Sequence, residues 1–147
     1  MKRILNLCLF LFAMVSVFAD TPKIGELFKL MPDSLMPYLT KNNRLDMIDF
    51  REAGMKAEVN NLLEGISTMT YLSDDSLCVK MSDALRIDMK LIVKGDNLLV
   101  RVQKTYIYNK CQTEEIVSLY TPEWQLVDTL TKSSFLLKRD EELFKEN

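Results

Sequence analysis

The residues best equipped for chemistry are four charged side chains within one short stretch, Arg44, Asp46, Asp49 and Glu52. Asp46 and Asp49 are three residues apart, as are Asp49 and Glu52, so on a helix they share a face. Such a row could bind a divalent cation or supply the acid and base of a hydrolase. A solvated face opposite Leu45, Ile48 and Phe50, with Arg44 and Arg51 as ion-pair partners, is the commoner origin of this pattern. A third role is structural, with Arg44 or Asp46 tying the helix to backbone groups of a strand. The aromatics Tyr71, Tyr106, Tyr108, Tyr120 and Trp124 could line a sugar- or peptide-binding face. Core packing and cross-strand pairing account for them equally well. Asp74-Asp75 lacks the remaining ligands of an EF-hand type loop and reads as a turn.

Much chemistry is excluded by composition. The chain has no histidine, which removes Ser-His and Cys-His nucleophile activation and most zinc sites. Its four glycines are scattered singly, so no glycine-rich loop can cradle a phosphate. Nine methionines, two of them in the first 14 residues, fit flexible core packing better than a metal-carrying site. No cofactor and no metal are expected.

The elements that would position these residues are legible. Leu85, Ile87, Met89, Leu91 and Val93 alternate with Arg86, Asp88, Lys90 and Ile92. After Lys94-Gly95-Asp96-Asn97, Leu98, Val100 and Val102 alternate with Leu99, Arg101 and Gln103. Period-two alternation marks half-buried strands, and Gly and Asn suit a tight hairpin turn. Strands are also expected around Met55–Val59, Ile66–Leu72, Leu77–Met81, Ile116–Tyr120 and Trp124–Leu126, with Asn109–Thr113 a loop. Upstream, Ile24, Leu27, Phe28 and Met31 form a helical stripe, with Thr21 as cap and Pro32 as stop. Asp33 or Ser34 should cap a second short helix through Leu39. Asn42 or Asn43 should cap a third, Arg44–Ala53, ended by Gly54. The sum is an α+β domain, with two or three short N-terminal helices before a mainly antiparallel meander of six or seven strands. From Asp128 the pattern fades into a weakly defined tail or helix, 128–147.

The N-terminus sets the expected compartment. Met1-Lys2-Arg3 precedes an apolar run, Ile4 to Phe18, and Ala19 offers a cleavage site before Asp20. This is the pattern of a secretory signal peptide, 1–19, and at fifteen residues the run is short for a bilayer span of about 20. Cys8 sits mid-run, not at its end, so it does not mark a lipoprotein. The remaining residues, 20–147, suffice for one domain. Without Lys2 and Arg3, 17 basic residues stand against 21 acidic ones, a formal charge of −4. A mildly acidic surface argues against a nucleic-acid partner, and membrane contact is expected only through the signal peptide before cleavage.

Two cysteines would remain, Cys78 and Cys111. Export favours a disulfide, but a simple meander sets Cys78 roughly level with Ile87 and Lys104. Cys111 then lies on the order of 20 Å away, where a bridge needs Cα atoms within about 7 Å. Free thiols are the expectation unless the sheet departs from a meander.

Met31-Pro32-Asp33-Ser34-Leu35, Pro37-Tyr38-Leu39, Asn43 to Phe50 and Met55-Lys56-Ala57-Glu58-Val59 resemble a Bacteroidales family of exported proteins of unknown function, domain-of-unknown-function family 3256. Leu72-Ser73-Asp74-Asp75 and Tyr120-Thr121-Pro122-Glu123-Trp124 also resemble it. The likeness is densest in the first half of Thr21–Leu126. It implies a Gram-negative envelope, periplasmic or secreted, and supplies no activity. The leading expectation is a non-catalytic binding or interaction module whose partner is an envelope protein or glycan, with Arg44, Asp46, Asp49, Tyr106 and Trp124 as candidate binding residues. The rivals are a carboxylate hydrolase built on Asp46 and Asp49, and a structural envelope component.

Overall fold

The computed structural model describes residues 21–109 and 112–133. The proposed signal peptide with Ala19 and Asp20, together with Cys111 and residues 134–147, lies outside them. Helix α1 (Ile24–Leu30) and a 3-10 turn (Asp33–Leu35) lead into helix α2 (Lys41–Glu52). Seven strands follow: β1 (Ala57–Asn60), β2 (Ile66–Leu72), β3 (Ser76–Lys80), β4 (Leu85–Lys94), β5 (Asn97–Asn109), β6 (Gln112–Tyr120) and β7 (Leu126–Ser133). They form one sheet in sequence order, every neighbour antiparallel.

The central hairpin follows its alternation. Lys94 pairs with Asn97 and Leu85 with Tyr106, leaving Gly95 and Asp96 as the loop. Gly95 has φ +62°, the backbone of a type II′ turn with glycine first. Leu85, Ile87, Met89, Val100 and Val102 are buried on one face. Both helices pack on that face, α1 over β3 and β4 and α2 over β1 and β2. Ile24, Leu27, Phe28, Met31, Met47 and Ile48 close the core from the helix side. At Gly25 an added Cβ would lie 3.4 Å from Ile48 Cδ1, so glycine lets α1 and α2 approach closely.

Several sequence expectations need correction. The second helix is only a three-residue 3-10 turn, because Pro32 and Pro37 leave too few consecutive amide donors for an α-helix. The cap of α2 is Thr40, not Asn42 or Asn43. Thr40 Oγ1 accepts from the Asn43 N–H at 3.1 Å, and Asn43 Oδ1 accepts from the Thr40 N–H at 3.0 Å, a capping box. Thr21 does not cap α1, whose N-cap is Lys23 with no side-chain bond. Gly54 does end α2: at φ +70° its N–H donates to the Arg51 carbonyl while Met55 N–H reaches Phe50, a Schellman motif. Downstream, β6 begins at Gln112, so the 109–113 loop is shorter than expected. Residues 128–133 belong to β7 and are not the start of a tail or helix. Their apolar residues are too few to read as a strand, and pairing with β6 supplies what the pattern lacks.

Candidate functional site

Arg44 was the leading charged candidate, and the fold turns it inward. It is 1% exposed. Nη1 donates to the Leu39 carbonyl at 2.7 Å and Nη2 to the Met31 carbonyl at 2.6 Å. Nη1 also lies 2.9 Å from Asp33 Oδ1. Met31 ends α1, and Leu39 closes the connection into α2. The planar guanidinium fork thus bridges two carbonyls that the prolines and helix ends leave without amide partners. Its partners lie in the helix connection and not on a strand. Asp33 as the counter-charge was missed, because an arginine on a helix is first matched to acids three or four residues away. Met31-Pro32-Asp33 beside Asn43-Arg44 was the available signal.

Asp46 and Asp49 are exposed on the outer side of α2 and border none of the clefts described below. No group of three or more His, Cys, Asp or Glu side chains comes together as a metal site among the described residues. The Asp74–Asp75 turn is tied internally. Asp75 accepts from Ser73 Oγ at 2.8 Å and Ser76 Oγ at 3.0 Å, bonds that hold its carboxyl below the ordinary range. Asp74 pairs with Lys23 Nζ at 3.0 Å across an exposed gap. These contacts cap the β2–β3 turn and join it to the start of α1.

The candidate binding residues Tyr106 and Trp124 part company. Trp124 is buried in the β6–β7 turn, its Nε1 donating to the Leu27 carbonyl of α1 at 3.2 Å. Its ring meets Tyr120 at 5.7 Å between centroids. Trp124 also adopts φ +64°, a backbone rarely taken by a bulky residue and here held by its packing. It is a core anchor, which corrects its expected place on a binding face. Tyr106 instead borders a cleft of ≈ 210 Å³ at one end of the sheet, beside Tyr38, Leu63, Met81 and Leu85.

Asn61 forms the cleft's polar floor. Its Nδ2 donates to Ser67 Oγ at 3.0 Å and to the Met81 carbonyl at 3.2 Å, while its Oδ1 accepts from the N–H groups of Leu63 and Gly65. Every polar atom of this buried amide is therefore engaged within the protein. Leu62 N–H donates to the Tyr38 carbonyl, so the β1–β2 loop and the 3-10 connection are fastened together at the rim. Leu63 stands exposed there and lines the cleft. Tyr38, Asn61 and Leu63 were missed because the loops that join them are distant in sequence.

A second cleft of ≈ 350 Å³ lies between the start of α1, the end of α2 and the β2–β3 turn. It sets Lys23 and Arg51 against Glu26, Glu52 and Asp74, a mixed set of charges with one acid in excess. Cys78 is a free, half-buried thiol on the sheet face away from the helices. It pairs with Asp88, which pairs with Gln103, one residue from the Ile87 and Lys104 level expected. Burial raises its pKa, the reverse of what an activated cysteine requires.

The fold has a counterpart among solved structures. A structure of a domain of an uncharacterized protein from Porphyromonas gingivalis W83 superposes with a TM-score of 0.61 at 20% identity, covering 74% of this chain and 55% of that one. This chain therefore spans little more than half of that neighbour, and the likeness shows the fold alone. No curated protein matches. The family described as "Protein of unknown function (DUF3256)" matches residues 14–147, and this chain belongs to that family.

Proposed function

We propose that this chain is a non-catalytic, exported binding module of the cell envelope. In this reading, the Tyr38–Tyr106 cleft receives an apolar side chain from an extended peptide segment of an envelope protein. The observation that carries the reading is the cleft's lining. Two tyrosines, Leu63, Met81 and Leu85 present apolar surface, and Asn61 has no polar atom left to offer a ligand. A glycan needs hydrogen-bonding groups beside its aromatic platform, so a peptide side chain fits better than a sugar. Of the exposed apolar residues in the β1–β2 loop, Leu63 lines the cleft itself. Export is supported by the basic start, the apolar run and Ala19-Asp20, and residues 20–147 are taken as a single α+β domain. Against a hydrolase stands the placement of Asp46 and Asp49, exposed and away from this cleft.

Selection from a random peptide library tests this reading. Enriched sequences should share a large apolar residue, should shift the NMR signals of Tyr38, Leu63 and Tyr106, and should lose binding to Tyr106→Ala. Enriched peptides that bind Tyr106→Ala as well as the native chain would overturn it, as would a library that yields none.

A further inference from the structure

The sheet face opposite the helices carries charge where a sheet surface tolerates it least. Lys90 of β4 and Arg101 of β5 are direct partners across the hairpin. Both point outward, since the alternate residues Met89, Val100 and Val102 are buried. Like charges facing each other across two strands are destabilising. Among the described residues neither cation forms an ion pair. The acids nearby are already engaged. Asp88 accepts from Arg86 Nε at 2.8 Å, and Asp75 accepts from the hydroxyls of Ser73 and Ser76. Arg101 is held by a neutral group, its Nη2 donating to Gln103 Oε1, which fixes the guanidinium without neutralising it. The positive spot also runs against a chain whose formal net charge is −2.

A second feature brings an aromatic ring to the same place. In β2, Ser67 and Met69 are buried on the core side, so strict alternation would send Tyr71 inward. A bulge between Met69 and Tyr71 makes Thr70 the extra residue and sets Tyr71 opposite Cys78. Tyr71 therefore lies on the outer face, 51% exposed. Bulges re-aim side chains in this way. Tyr71, Cys78, Asp88, Lys90 and Arg101 line one open groove of ≈ 420 Å³, to which β6 and β7 contribute no residue.

We propose that this groove binds a uronic acid, the carboxylate-bearing sugar of an acidic glycan. The carboxylate lies against Lys90 and Arg101 and relieves their repulsion. A planar guanidinium matches the two oxygens of a carboxylate, and the ammonium beside it adds a point charge. Tyr71 supplies the apolar platform for the sugar ring. Thr70 Oγ1 donates to the Cys78 carbonyl at 3.4 Å and keeps lone pairs for a sugar hydroxyl. Hydrogen-bonding groups beside an aromatic platform are what the Tyr38–Tyr106 cleft lacks, and this site does not depend on the peptide-binding reading of that cleft. An acidic peptide would bring the same charge but would gain little from the ring.

Calorimetric titration of the full chain with oligogalacturonate and with alginate oligosaccharides tests the proposal. At least one should bind, with an affinity that falls as salt rises. Its methyl ester, which keeps the sugars and loses the charge, should bind about tenfold more weakly or worse. Lys90→Gln and Arg101→Gln should each weaken binding about tenfold, and Tyr71→Ala about fivefold. Each charge substitution removes a repulsion, so the thermal midpoint without ligand should hold or rise, which separates lost binding from lost folding. Bound oligosaccharide should also slow alkylation of Cys78, read by mass spectrometry of its peptide. Binding of neither oligosaccharide overturns the proposal, as does a methyl ester that binds as well as the acid. So does a midpoint that falls in both charge variants, or a Tyr71→Ala chain of native affinity. A polyglutamate peptide bound as tightly as the oligosaccharide overturns the choice of a sugar.

Discussion

Replacing Arg44 with methionine separates two accounts of what the buried guanidinium does. Methionine keeps most of the apolar stem but removes the donors to the Leu39 and Met31 carbonyls, bonded at 2.7 and 2.6 Å. Both residues are almost fully buried. A buried group left unpaired costs about 1–3 kcal/mol, so two carbonyls cost about 2–6 kcal/mol. Part of this is offset because a desolvated charge is removed, including an Nε that has no partner. The net expectation is a loss of about 2–4 kcal/mol. The ion pair with Asp33 is a weaker contributor. Asp33 is 71% exposed, and water screens a pair of this kind to under about 1 kcal/mol.

Asp33→Asn should therefore cost far less than Arg44→Met, with Arg44→Lys between them, since one ammonium cannot span both carbonyls as a planar fork does. For a domain of this size, a loss near 3 kcal/mol lowers Tm by roughly 10 °C. Urea and thermal unfolding can be followed by fluorescence of Trp124, the single tryptophan, which is bonded to α1. If Asp33→Asn proves as damaging as Arg44→Met, the charge pair and not the carbonyl bridge is the main term. If Arg44→Met unfolds like the native chain, the bridge is energetically idle and the reasoning fails.

Two further predictions follow from the same structure. Lys104 is half-buried, its Nζ reaching the Leu35 carbonyl at 3.2 Å, and burial lowers its pKa. A lysine with a depressed folded pKa binds fewer protons folded than unfolded, so stability rises with pH from that depressed value toward about 10.4. Urea midpoints should show this rise in the native chain and a smaller one in Lys104→Met. Thr40→Ala removes the hydroxyl that accepts from Asn43 N–H and should cost about 1 kcal/mol, read as a lower urea midpoint at unchanged m.

The central hairpin was legible because its signals are local. The alternation from Leu85 to Val102 and the glycine in the turn each depend on residues within a few positions. The helical stripe of α1 and the stop at Gly54 were legible for the same reason. The stretch after Asp128 was not, because an edge strand with both faces exposed carries little apolar periodicity, and its strand state comes from pairing with β6.

The sequence by itself determined the alternation of strands, the turns between them and the stripe of α1, since side-chain spacing and backbone preference act over a few residues. It also withheld histidine, and with it a large part of hydrolytic chemistry. Only tertiary structure decided which polar and aromatic side chains face inward. Arg44 is buried because carbonyls 5 and 13 residues earlier in the chain are brought within its reach. Trp124 is an anchor because Leu27, 97 residues away, offers its carbonyl. The Tyr38–Tyr106 cleft exists because loops distant in sequence meet at one end of the sheet. Such meetings depend on how elements pack, and no local spacing encodes them.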